Sequence, residues 1–245
     1  MIRALARAAW GAVLDVVVPP LCPRCAGSAP GPTGLCPDCS VSLDLLGEPW
    51  CPTCSLPYPG ETASHPCPRC LAAPPPFRRL RAWAAYRGAA ADLIQAMKYG
   101  GRIEVRSTLV RWAREALERH YPEEHYDAVV PVPPARPAFL RRGFDLPGIL
   151  SRAVAHHSGA PWRPRALAKD PTAPDLVGRS APDRFRQTAR AYRAAERLDG
   201  SVLLVDDVAT TTATARAAAA ACLAAGAAAV DVLVLARTPS IEPAE

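Results

Sequence analysis

At 245 residues the chain has room for one or two domains, and its 49% apolar content is enough to bury a real core. Twenty-nine Lys and Arg against 23 Asp and Glu leave a formal charge of +6. That balance suits phosphorylated ligands or nucleic acid, and equally an Arg-rich solvated surface; no apolar run is long enough to span a bilayer. At the N-terminus, Ile2, Leu5, Trp10, Val13, Leu14 and Val17 fall on one face of a short amphipathic helix. Arg3 and Arg7 precede this stretch, but Asp15 interrupts it, Pro19-Pro20 ends it, and no convincing small-residue cleavage site follows. A secretory signal is therefore not expected, and a cytoplasmic protein is.

Eight of the nine cysteines form four CxxC pairs: Cys22/Cys25, Cys36/Cys39, Cys51/Cys54 and Cys67/Cys70. This spacing lets two thiolates on one tight turn reach the same metal, and two such turns complete a tetrahedral zinc site. Proline follows the first cysteine of each pair (Pro23, Pro37, Pro52, Pro68) and stiffens the turn. A disulfide framework would need an oxidising compartment, and redox-active CxxC motifs would need a βαβ setting that is missing here. Two structural Zn2+ sites are expected, in place of a core that roughly fifty residues cannot build. Neighbour pairing gives Cys22, Cys25, Cys36 and Cys39 for one site and Cys51, Cys54, Cys67 and Cys70 for the other; interleaved pairing stays open. His65 reads as a solvated loop residue. Pro74-Pro75-Pro76 is a stiff spacer, which divides the chain into residues 1–75 (helix and double zinc ribbon) and 76–245.

Beyond the spacer the pattern becomes α/β. Strands are expected at 80–86, 126–132, 201–206 and 229–236, and helices at 89–99, 103–120, 146–157 and 213–225. Gly100-Gly101 separates the first two helices and Gly226 stops the last. Residues 171–190 are polar and aperiodic and read as a mobile loop. Strand 201–206, helix 213–225 and strand 229–236 make a right-handed βαβ unit in a parallel sheet. Ligands of such sheets sit beyond the carboxyl ends of the strands, which is where residues 206–214 and 132–143 fall.

One junction carries the most chemistry. Val202-Leu203-Leu204-Val205 runs into Asp206-Asp207, then into Thr210-Thr211-Thr212-Ala213-Thr214, then into an Ala-rich helix. A strand–loop–helix start offers unpaired N–H groups and hydroxyls to a phosphate, and the carboxylate pair can hold ribose hydroxyls directly or through a divalent metal. The stretch resembles the phosphoribosyl-diphosphate (PRPP) fingerprint of type I phosphoribosyltransferases. The order of parts along the chain is similar to the ComF family, a double zinc ribbon followed by a phosphoribosyltransferase-type parallel sheet flanked by helices. The resemblance is carried by the four CxxC pairs, Lys98-Tyr99-Gly100-Gly101, Val130-Pro131-Val132-Pro133, Arg141-Arg142-Gly143-Phe144 and the Asp206-Asp207 segment.

That resemblance implies a cytoplasmic protein tied to DNA uptake in natural transformation, with a fold that binds PRPP and Mg2+. Asp206 and Asp207 are then the catalytic pair on the ribose hydroxyls. Thr210, Thr211, Thr212, Ala213 and Thr214 cradle the 5′-phosphate. Arg136, Arg141 and Arg142 face pyrophosphate or solvate a loop, and Lys98 matches a family position. The alternative is a non-catalytic adaptor for single-stranded DNA or a competence helicase. Its cations are Arg179, Arg184, Arg186, Arg190, Arg193 and Arg197, with Phe185 and Tyr192 as stacking rings. The chain departs from the family pattern at Thr212, where Gly is usual, and at Asp145-Leu146, where Asn-Gln commonly follows Arg-Gly-Phe. The mobile loop has Asp175 and Gln187 at the positions nearest its usual Gln and Asn. These changes predict weakened or altered ligand use. No residue identifies an acceptor nucleophile, and oligomeric state is not legible.

Overall fold

The second knuckle of each quartet, at Cys36 and at Cys67, begins a short helical turn where Pro follows Cys, while the first is a plain turn. Helices α1 (Pro37–Ser40) and α2 (Pro68–Ala72) have Cys36 and Cys67 as N-caps. Proline suits the first helical position because its φ is preset and its missing N–H would have no partner there. The computed structural model describes residues 21–27, 30–134, 139, 143–170 and 191–239. The helix expected over 2–17, the loop 171–190 and the cations Arg136, Arg141 and Arg142 lie outside these residues.

Downstream of the ribbon come β1 (Leu80–Ala85), α3 (Gly88–Gly100), a 3-10 turn (Ile103–Val105), α4 (Arg106–His120) and β2 (Ala128–Pro131). They are followed by α5 (Leu146–Ser158), β3 (Leu167–Lys169), β4 (Tyr192–Ala194), β5 (Ser201–Ala209), α6 (Ala213–Ala224) and β6 (Ala229–Arg237). Four strands form one all-parallel sheet in the order β1-β6-β5-β2. Successive side chains of a strand point to opposite faces, and β5 shows both faces buried. Leu203 and Val205 pack with Trp112, Leu150 and Val154 of α4 and α5. Val202 and Leu204 pack with Ala215, Ala218 and Ala219 of α6. Cys222 lies in that second layer, as a small core residue.

The elements differ from the expected ones at several boundaries and by one added strand pair. Strand β5 continues to Ala209, so Asp206 and Asp207 lie inside it; β6 is equally long and supplies partners for Asp206, Val208 and Ala209. The helix expected from residue 103 opens with a 3-10 turn. The antiparallel pair β3–β4 was not anticipated, because three residues per strand leave no periodicity to read.

The ribbon packs onto the sheet. Leu45 bridges Ala84 in antiparallel fashion, the Leu46 N–H donates to Trp83 O at 3.0 Å, and the Ala85 N–H donates to Asp44 O at 2.8 Å. Cys22, Leu35, Cys36 and Cys39 share one core with Trp83 and Trp112, whose rings stack at 4.4 Å. Gly88 permits this contact: its φ is +51°, and a Cβ would lie 2.1 Å from Ser42 O. Among the described residues, no helix is long and apolar enough to cross a membrane.

Candidate metal centres and ligand cavity

The cysteines gather as two quartets of sequence neighbours: Cys22, Cys25, Cys36 and Cys39, and Cys51, Cys54, Cys67 and Cys70. Within each, the sulfurs lie within 4.8 Å of one another. Cys25 Sγ to Cys36 Sγ and Cys54 Sγ to Cys67 Sγ are both 3.7 Å. A tetrahedron of zinc–sulfur bonds of about 2.3 Å places its sulfurs about 3.8 Å apart, so both quartets fit the ion. Backbone N–H groups point at the sulfurs, from Gly27 to Cys25 (3.4 Å) and from Cys67 to Cys51 (3.2 Å), as thiolate ligands require. Both centres are structural, closed Zn2+ sites. His65 is exposed, bonded to Glu61 and stacked on Tyr58, and belongs to neither quartet.

The second site is a cavity of about 210 Å³ at the carboxyl ends of β2 and β5. Lys98, Asp206, Asp207 and Thr214 line it, with Tyr192, Asp145 and the apolar walls Val132–Pro134 and Phe144–Pro147. Lys98 arrives on the last turn of α3, which Gly101 ends in the left-handed conformation. Its Nζ donates to Asp207 Oδ1 at 2.5 Å, across 109 residues of chain. Asp207 is 7% exposed, so a cationic partner offsets the desolvation of its charge. Asp206 is half-buried, and its Oδ1 accepts the Asp207 N–H at 2.8 Å. Burial, reinforced by the Asp207 charge and opposed by Lys98, pushes the Asp206 carboxyl up to about 7. Burial also holds Asp145 above the ordinary carboxylate range, and the Asp207 charge adds to the shift.

The threonine turn is placed unevenly. Thr210, Thr211 and Thr214 are exposed and Ala213 is half-buried at the first position of α6. Thr212 is 3% exposed and takes φ +63°, the left-handed conformation that Gly usually supplies. A β-branched residue there stores about 1–3 kcal/mol of strain. Its side chain turns inward, where Oγ1 accepts Arg216 Nε at 3.2 Å, so the turn persists without glycine. Of the expected ligand contacts, Lys98, Asp206, Asp207 and Thr214 meet in one cavity, whose lining does not include Thr210, Thr211, Thr212 or Ala213. Tyr192, expected only as a nucleic-acid stacking ring, lines the same cavity.

The double zinc ribbon domain family matches residues 13–71. The DNA utilization protein YhgH of Salmonella typhimurium is 32% identical over 229 residues, covering 89% of this chain and 90% of that protein. YhgH of Escherichia coli K12 is 34% identical over 186 residues, covering 72% and 80%. Among solved structures, an adenine phosphoribosyltransferase overlaps 59% of this chain and 76% of its own, at 19% identity and TM-score 0.36. A glutamine phosphoribosylpyrophosphate amidotransferase from B. subtilis overlaps 54% and 26%, at 20% identity and TM-score 0.36.

Proposed function

Because the chain belongs to the ComF family, together with its YhgH relatives, we propose that the cavity binds PRPP with Mg2+ and serves phosphoribosyl transfer in a cytoplasmic protein of DNA uptake. The observation that carries this reading is the meeting of Lys98, Asp206, Asp207 and Thr214 in one cavity beside the N-terminus of α6. The turn at 210–214 would take the 5′-phosphate on backbone N–H groups and the Thr210, Thr211 and Thr214 hydroxyls. Asp206 and Asp207 would hold the ribose hydroxyls and Mg2+, which supplies charge neutralisation for the departing pyrophosphate. Lys98 would exchange Asp207 for a pyrophosphate oxygen, and Arg136, Arg141 and Arg142 would join it. In a transfer, the acceptor's electron pair forms the new bond to C1 of the ribose while the C1–O bond breaks and pyrophosphate leaves with its electrons. No covalent protein nucleophile is needed, so the protein's contribution is to position the ribose and phosphate and to supply preorganised charge.

Calorimetric titration with PRPP and MgCl2 tests the reading. Asp206→Asn and Asp207→Asn should each weaken binding by about tenfold or more, the size of a lost charge-assisted hydrogen bond. No heat and no thermal stabilisation at millimolar PRPP would sink the proposal.

The raised Asp206 carboxyl adds a pH signature. The folded chain keeps a proton that the unfolded chain sheds near pH 4, so this group favours the fold at low pH and that contribution is lost as pH rises toward 7. Ligand and Mg2+ favour the charged form, so affinity should rise by about tenfold between pH 6 and 8. Asp206→Asn should flatten that rise relative to the parent chain.

The relatives' description as DNA utilization proteins also supports a role beside single-stranded DNA or a competence helicase. Of the residues expected to serve it, Tyr192, Arg193 and Arg197 lie within the described structure, and Arg197 pairs with Asp199 at 3.0 Å. Salt-sensitive retention of single strands in a gel shift would be its signature.

A further inference from the structure

The second cysteine quartet lies against the loop that carries the threonines, and three arginines join the two. Arg237, at the end of β6 and 3% exposed, donates its Nε to Cys54 O at 3.2 Å. Its Nη1 donates to Ala209 O at 3.2 Å and, closely, to Thr210 O. Arg69, between Cys67 and Cys70 on α2, donates Nη1 to Thr211 O at 3.3 Å. Arg216, on the first turn of α6 and 6% exposed, donates Nε to Thr212 Oγ1 while its Nη2 lies 4.0 Å from Cys70 Sγ. Each residue from Ala209 to Thr212 thus accepts a hydrogen bond from an arginine that belongs to, or touches, the quartet.

Burying a guanidinium requires nearby compensating charge. Four thiolates around a divalent ion carry a net charge of about −2, beside two buried arginines, and a formal balance results. We propose that the second zinc centre is the base on which the phosphate loop is held, with Arg69, Arg216 and Arg237 as positioning residues between them. The inference rests on the ligand reading for the loop's purpose. The geometry itself involves no ligand. It also accounts for Thr212, whose left-handed backbone is held from below by Arg216 where other sequences rely on glycine's freedom.

The test uses the full zinc-loaded chain and two readouts free of PRPP: amide hydrogen exchange over residues 209–214, and zinc release to a chromogenic chelator. Arg237→Gln should speed loop exchange by about tenfold and release one of the two zinc ions about tenfold faster. Arg69→Ala, an exposed change that spares the core, should loosen the loop in the same direction. Arg237→Lys keeps the charge near the thiolates and loses the fork, so it should restore zinc retention and leave the loop loose. Arg24→Ala, beside the first quartet, should leave loop exchange unchanged. Unaltered loop exchange in both Arg237→Gln and Arg69→Ala overturns the proposal, as does full rescue of the loop by lysine. A parent chain that ignores PRPP in calorimetry removes the ligand reading alone.

Discussion

Stripping both zinc ions with a chelator should unfold the whole chain and not merely the ribbon. Apparent binding free energies of structural zinc run to about 10–16 kcal/mol in small ribbons, against a total stability of about 5–15 kcal/mol for a typical domain. The first quartet has no core of its own into which that loss can be confined, whereas the second forms a small cluster with Tyr58 and Leu56. Cys22, Leu35, Cys36 and Cys39 pack in the same cluster as Trp83 of β1 and Trp112 of α4. The Trp112 indole N–H also donates to Thr33 O in the first ribbon loop, at 2.7 Å. The stacked Trp83–Trp112 pair therefore reports the shared core, and its near-ultraviolet circular dichroism band should vanish together with the far-ultraviolet signal. A sheet that melts at an unchanged midpoint after both zinc ions are gone would show that the ribbon merely rests on it.

What the amino-acid sequence revealed follows from which interactions are local. The CxxC spacing identifies which two thiols share a turn, but which turns share a metal is a tertiary matter; the structure joins sequence neighbours. Strand β5 was legible from Ser201 to Asp206, because the paired carboxylates resemble a strand end when read alone. They remain in the ladder because β6 pairs with them as far as Arg237. Lys98 stood out only through family resemblance, and its partner Asp207 is far away in sequence. Arg216 and Arg237 were missed altogether. The available signal was their isolation: each is a single cation within or at the end of an apolar run, at 215–225 and 232–237. A cation in such a run ends up buried only if counter-charge and carbonyls lie opposite it, and here the ribbon supplies them from more than a hundred residues upstream.

Asp231→Ala should cost about 3 kcal/mol of stability in urea denaturation, because it leaves a buried hydroxyl unpaired and takes a fully buried carboxylate from a part-exposed guanidinium. Asp231 is 0% exposed, near the start of β6. Its Oδ2 accepts Arg78 Nη2 at 2.5 Å and Tyr126 Oη at 2.9 Å, and its Oδ1 accepts Arg78 Nε at 3.2 Å. Truncation strands the buried Tyr126 hydroxyl and the inner edge of Arg78, while Glu124 at 3.4 Å can keep only part of the guanidinium partnered. Asp231→Asn preserves an acceptor for Tyr126 and should cost less, about 1–2 kcal/mol. Because both variants lack the carboxylate charge, 0.5 M salt should change the difference between them little. Asp231 pairs in register with Leu203, whereas the cavity is built from Asp206 onward, at the opposite end of the sheet. Both variants should therefore keep the parent affinity for PRPP at temperatures where they remain folded. An affinity that falls in step with stability would mean that the two ends of the sheet are coupled through β5 and β6, and that the cavity's geometry depends on this buried cluster as well as on the loop beside it.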